Sequence, residues 1–288
     1  MRKKDSTEKT DIQTQAGGVQ TKKHSGKNWN LILGSILTGT VCLFVLIGLF
    51  AVPYDPEAMD ASLKLAGASA AHPFGCDQFG RDILSRVMKG SGVTLLIALA
   101  TVVVGAFFGI LLGAFTGYSG GLVDEVLMRI NDVLFAFPSI LLALVFISLL
   151  GPGGGNVVIA LGIAFIPSFA RIVRSEFIRC KNMDYVRLAR LAGAGQLRIM
   201  FVHILPNTIG VLLPACMIGF NNAVLAEAGM SYLGIGVQPP DPSLGRMLSE
   251  AQTYLFSAPG LALFPGLLLV LMVLGASLLA DGLKQRNR

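Results

Sequence analysis

Long apolar runs alternate with short polar ones along this chain, and the runs have the length of membrane-crossing helices. About 20 apolar residues span a hydrocarbon core of about 30 Å. No water reaches the backbone there, so each segment must satisfy its own polar groups, which makes such runs helical. Six are predicted, at about Trp29–Val52, Ser91–Gly117, Val126–Leu150, Asn156–Glu176, Thr208–Ala228 and Ala258–Asp281. Pro53 ends the first, and a GPGGG turn at 151–155 separates the third from the fourth. Pro167, Pro214 and Pro265 lie inside the last three. Residues 1–28 are polar with mixed charge, which predicts a disordered tail. The first run is too long for a signal-peptide core and lacks a clear cleavage site, so it reads as a retained anchor. The remaining segments are a mixed-charge loop at 53–90, a basic loop within 177–206, a Pro-rich loop at 229–257 and a tail at 282–288. The expected fold is an all-α polytopic membrane protein of six transmembrane helices. Residues 91–281 form its core of five.

Composition agrees: 53% of the 288 residues are hydrophobic and only 14% charged, against about 25% charged in soluble domains. Mean hydropathy is +0.67. Basic residues orient the chain. With the N-terminus inside, 17 Lys and Arg fall in the tail, the 171–198 region and the C-terminus, against five in the outer loops. Arg129 lies near the inner end of the third span. The bias places both termini in the cytoplasm.

Catalytic patterns are absent from the sequence. No GxxxxGK precedes a Ser or Thr, so the chain cradles no nucleotide phosphate by itself, and neither HExxH nor GxSxG occurs. Cys42, Cys76, Cys180 and Cys216 are scattered without CxxC spacing, which argues against a disulfide framework or a zinc site. His24, His72 and His203 are isolated. Neither cofactor nor nucleic-acid partner is expected.

Polar residues within apolar spans are costly and point to function. The candidates for a translocation path are Asn131, Asn221, Asn222 and Glu227. The two asparagines of the fifth span suit either a polar path or hydrogen bonds between helices. Asp132 and Glu176 sit near the inner interface with basic residues close by, and Arg129 is spaced to pair with Asp132. No acid stands alone at mid-span, which disfavours an ion-coupled carrier. Gly105, Gly109, Gly113 and Gly117 recur every four residues and form a small helix face for close packing or for sliding.

The basic loop, DYVRLARLAGAGQLRIMFVHILPN at 184–207, carries the sharpest signal. Asp184 to Ala192 has helical periodicity, Gly193 and Gly195 break it, and Gln196 to Leu205 reads as a second short helix ended by Pro206. An element of this size suits the cleft of a cytoplasmic partner. The alternative is an amphipathic segment lying on anionic lipid.

This segment resembles the coupling motif EAA-x3-G-x9-IxLP of ABC importer permeases. Ala189, Gly193, Leu205 and Pro206 match, while Arg187, Leu188 and His203 stand where that motif has Glu, Ala and Ile. Further stretches are similar to the second, C-type permease of the dipeptide, oligopeptide and nickel branch: HPFGCDQFGRDILSRVMKG at 72–90, GGLVDEVLMRINDVLFAFPSILLAL at 120–144 and LAEAGMSYLGIGVQPPDPSLGRML at 225–248. Cys76 stands where that branch commonly has Thr. The resemblance runs from about residue 30 to 284.

It implies a type I ABC importer permease architecture, without enzymatic activity of its own. The chain would pair with a homologous permease as a heterodimer in the cell membrane. Two cytoplasmic ATPase subunits would drive it, and an extracytoplasmic binding protein would deliver cargo to the loops at 53–90 and 229–257. Asp184, Arg187, Ala189, Arg190, Gly193, Arg198 and Pro206 would form the ATPase contact. Di- or oligopeptide is the first cargo expected, nickel or a metal chelate the second, and a secondary carrier the distant alternative.

Overall fold

A computed structural model describes residues 28–286 of the chain. The segment expected to be a disordered tail lies outside the described residues, apart from Asn28. Asn28 caps α1 (Trp29–Phe50), its Oδ1 accepting from the Leu31 amide at 3.2 Å. Its Nδ2 donates to the Gly282 carbonyl at 2.8 Å. The start of α1 and the end of the last helix therefore lie side by side.

The second helix, α2 (Ile83–Ser119), has 37 residues, or about 55 Å at 1.5 Å per residue. It begins earlier than the apolar pattern indicated, because Asp82 caps it through the Ser85 amide at 2.8 Å and Arg86 and Lys89 extend it beyond the apolar run. Part of the segment read as a loop at 53–90 is therefore helix. Gly120, at φ +68°, ends it.

The third apolar run is not one helix. Pro138 divides it into α3 (Gly121–Phe135) and α4 (Ser139–Leu150), whose axes differ by 88°. Proline has no N–H to continue the ladder, and it forces the residue before it out of helical geometry. Glycines at positive φ, Gly151 (+87°) and Gly153 (+138°), then reverse the chain into α5 (Gly154–Cys180).

After α5 come the short α6 (Asp184–Leu191) and the long α7 (Gln196–Tyr232). The opposite end carries α8 (Leu244–Ala251), and α9 (Gly260–Arg286) closes the described chain. Five of these helices are long and apolar enough to cross a membrane, six if the bent pair counts as one span. The described residues contain no strand.

The core is the α2–α5 seam, and the four-residue glycine spacing explains its closeness. A Cβ on Gly105 would lie 3.0 Å from Phe165 Cβ, on Gly109 2.5 Å from Phe169 Cβ, and on Gly117 2.7 Å from the Arg174 carbonyl oxygen. Gly113 meets Ala170 and Val173 in the same way. Small residues at these positions let the backbones meet, which is how helices associate where lipid offers no hydrophobic drive. α1 lies on α9 by the same device, with Gly34 against Leu279 and Gly282 against Leu31.

Candidate functional site

At the basic end, α6 is built to sit on the helix bundle and face outward. Asp184 in its first turn and Arg190 in its last suit the helix dipole. Val186 is fully buried and Tyr185 and Ala189 half-buried, on a face that meets Ala114 of α2, Phe177 and Cys180 of α5, and Ile199, Met200 and Ile204 of α7. Burial pushes the Tyr185 phenol, beside Cys180 and Asn207, up to about 12. The other face is open: Leu188 is 65% exposed and Leu191 84%. Asp184, Arg187 and Arg190 share it. Arg187 lies 3.6 Å from Asp184, and Arg190 reaches the Tyr118 hydroxyl at 3.5 Å.

Gly193 ends α6 in a Schellman turn. The Ala194 amide donates to the Ala189 carbonyl at 3.0 Å, the Gly193 amide to Arg190 at 3.1 Å, and Gly193 takes φ +81°. No atom stands within 4 Å of a Cβ there, so the requirement for glycine is conformational and not spatial.

Beyond the turn, one expectation fails. Gln196 to Leu205 does not end at Pro206. It winds as a π-helix over Ile199–Ile204 and runs straight into the α-helical part, Leu205–Tyr232. Pro206 falls in the first turn of that part, where its missing N–H costs least. Leu197 and Arg198 remain exposed beside α6.

Ion pairs brace this platform. Arg174 holds Asp124 of α3 with two hydrogen bonds of 2.6 Å, and the Lys181 ammonium donates to the Gly117 carbonyl at 3.0 Å. Asp132 pairs with Arg171 of α5 at 2.8 Å, and not with Arg129 as the spacing suggested. Phe135 lies under that guanidinium at 3.7 Å and draws it toward α3. Glu176 pairs with Arg179.

A cavity of about 510 Å³ opens beside α5 and α7. Phe165, Phe169, Ile172 and Pro214 make its wall apolar, Ser139, Ser168 and Asn222 add neutral polar groups, and Lys284 adds a charge. Of the four polar residues predicted for a path, only Asn222 reaches it. Asn131 is buried and donates to the Pro167 carbonyl at 3.4 Å. Asn221 donates to Ser277 of α9 at 2.7 Å. Glu227 is fully buried where α7 meets α2 and α8. Asn131 and Asn221 thus bond to neighbouring helices, and Glu227 accepts from Ser231 of its own helix.

Sequence reading missed a charged cluster at the other end. Arg81 meets Asp77 at 2.6 Å and Glu250 at 3.1 Å, Arg86 approaches both at 3.6 and 3.5 Å, and Arg246 reaches Glu250 at 3.1 Å. Arg86 also donates to the Pro56 carbonyl at 3.1 Å. The cluster binds the 53–82 segment, α2 and α8 into one cap. The polar spacing of the 72–90 stretch was its only trace in the sequence. Among the described residues no group of three or more His, Cys, Asp or Glu is placed to hold a metal ion.

Residues 109–288 match the family described as binding-protein-dependent transport system inner membrane component. The dipeptide transport system permease protein DppC of Haemophilus influenzae is 36% identical over 264 residues, covering 90% of each chain. The di/tripeptide transport system permease protein DppC of Pseudomonas aeruginosa is 40% identical over 261 residues, 88% of this chain and 86% of that one. The glutathione transport system permease protein GsiD of Escherichia coli is 42% identical over 248 residues, 85% and 82%. Among solved structures, an inward-facing MetNI methionine ABC transporter chain superposes with a TM-score of 0.54 at 19% identity, over 70% of this chain and 96% of that one. That last likeness establishes the fold.

Proposed function

The chain belongs to the family of binding-protein-dependent transport system inner membrane components, and from that premise we propose that it forms one half of a path for di- and oligopeptides. It is a multi-pass inner-membrane transport subunit and not an enzyme. ATP hydrolysis belongs to separate chains, and a binding protein supplies the cargo. In our reading its companion is a homologous permease in a heterodimer, with two ATPases beneath and both termini in the cytoplasm.

The observation that carries this reading is α6. Its inner face is seated on α2, α5 and α7, while Leu188, Leu191 and Leu197 stand exposed among Arg187, Arg190 and Arg198. Three arginines around these leucines suit a protein cleft, because arginine is enriched among the residues that dominate binding at protein interfaces. Asp184, Ala189, Gly193 and Pro206 shape the element that the ATPase grips. When nucleotide closes the ATPases, the movement of α6 passes through its buried face to three helices at once. Nucleotide drives the change because it binds one state better than the other.

Peptide is favoured over nickel because the named relatives carry dipeptides, di/tripeptides and glutathione. The cavity fits that cargo: an apolar wall with neutral hydrogen-bonding groups and a single lysine suits peptides of varied side chain. The test is reconstitution of the full complex in liposomes with its loaded binding protein. ATP-dependent uptake of a labelled dipeptide is expected. Uptake of nickel alone, or uptake by this chain driven by an ion gradient, would overturn the reading.

A further inference from the structure

At the end opposite α6, one carboxyl organises the backbone of an entire segment. Glu227 lies in the last turns of α7 and is fully buried. Its Oε1 accepts from the Ser231 hydroxyl at 2.7 Å, and the hydroxyls of Thr94 in α2 and Ser243 before α8 turn toward the same carboxyl. Oε2 is buried with no hydrogen-bond partner of its own. Each of those hydroxyls already accepts a backbone amide from the chain that follows α7. Ser231 takes Val237 at 3.0 Å, Thr94 takes Leu244 at 3.2 Å, and Ser243 takes Arg246 at 3.2 Å. A hydroxyl has a single hydrogen to donate. With its acceptor side held by the Val237 amide, Ser231 directs that hydrogen to Glu227 Oε1, and Thr94 and Ser243 stand beside the same carboxyl.

The segment from 233 to 246 is pressed onto α7 by this arrangement. A Cβ on Gly245 would lie 2.5 Å from Ala228 Cα, and one on Gly236 would collide with the Ser231 hydroxyl. Glu227 does not line the cavity beside α5 and α7. It shares α7 with Ile199, Met200 and Ile204, which pack on α6, since that helix runs unbroken from Gln196 to Tyr232, about 55 Å.

We propose that Glu227 is a positioning residue for transport: it locks the 233–246 segment and α8 to α7, so that docking of the binding protein at that end is felt at the ATPase contact through one helix. The proposal rests on the importer reading. Its chemistry is specific to a carboxyl group. Glutamine would replace one acceptor oxygen with an amide whose hydrogens face those of the hydroxyls.

The experiment uses the assembled complex in nanodiscs and compares ATP hydrolysis with and without peptide-loaded binding protein. Amide exchange across residues 233–246 is followed in the same samples. Glu227→Gln and Thr94→Val are expected to keep basal hydrolysis and to lose about tenfold of the stimulation, the effect of roughly one buried hydrogen bond. The Val237 and Leu244 amides should exchange faster in both. Thr94→Ser, which retains the hydroxyl, should match the wild type. Wild-type stimulation in both Glu227→Gln and Thr94→Val would overturn the proposal. A Glu227→Gln complex that fails to assemble beside a Thr94→Val complex stimulated like wild type would overturn it too. A wild-type complex that no binding protein stimulates would instead sink the importer reading, and the exchange data would still decide whether Glu227 holds the segment.

Discussion

Gly117 of α2 lies so close to Arg174 of α5 that a Cβ would stand 2.7 Å from the Arg174 carbonyl oxygen. The obstructing atom is backbone and cannot rotate away. Gly117→Ala is expected to cost about 1–3 kcal/mol of overpacking strain, and Gly117→Leu to abolish assembly. Gly155→Ala, at the start of the same α5 with open space around it, is the control that should assemble normally. Yield and melting temperature of the purified complex check both.

The coupling turn is predicted to fail by conformation alone. Gly193 holds φ +81°, and an L-residue there pays about 1–2 kcal/mol. Gly193→Trp should insert and accumulate normally yet lose peptide uptake, because the strained turn no longer presents α6 to the proposed ATPase contact. Uptake set against the membrane level of the variant measures this. Normal uptake would show that the turn does not dock an ATPase.

Arg187 makes the opposite prediction. Its pair with Asp184 is exposed and loose at 3.6 Å, so Arg187→Ala should change stability by less than about 0.5 kcal/mol. If the exposed face of α6 is the contact, co-purification of the ATPases should still weaken clearly. An unchanged ATPase yield would remove Arg187 from the interface.

The capping cluster should be far less forgiving. Glu250→Ala leaves the buried Arg81 and Arg86 with Asp77 as their remaining carboxylate, and a buried donor left short of a partner costs about 1–3 kcal/mol. A pronounced fall in melting temperature is expected, with Glu250→Gln intermediate. Thermal unfolding in detergent checks the order.

Tyr185 gives a pH-dependent signature. Burial raises its phenol from 10.0 to about 12. Because the folded value is the higher one, its contribution to stability is fully present below pH 10. It is lost as pH rises through about 12, where the buried group must ionise. The difference in phenolate absorbance between wild type and Tyr185→Phe should therefore appear well above pH 10. Appearance near 10 would mean that the face of α6 carrying Tyr185 is not seated.

The spans were legible because apolar length is a one-dimensional property, and the bilayer imposes it. The close α2–α5 seam could be read from Gly105, Gly109, Gly113 and Gly117 because helical periodicity sets which residues share a face. Pro138 and Pro206 show where that reading stops. The first breaks a helix and the second begins one, and the difference lies in the π-helical turn before Pro206, which the residue order does not declare. The path candidates separated for a related reason. Asn131 and Asn221 each bond to a neighbouring helix and Glu227 is buried where α7 meets α2 and α8, and neighbours distant in sequence leave no local pattern. The cluster around Glu250 escaped notice likewise, since Arg81 and Glu250 are 169 positions apart.

The bend at Pro138 bears on how the subunit lives in lipid. The twelve residues of α4 reach about 18 Å, little more than half the thickness of the hydrocarbon layer. A lone copy would therefore leave a notch in its own wall, where the bilayer must thin or polar backbone must meet acyl chains. In the proposed heterodimer the second permease covers that notch, so a subunit without its companion would be the form that membrane quality control removes.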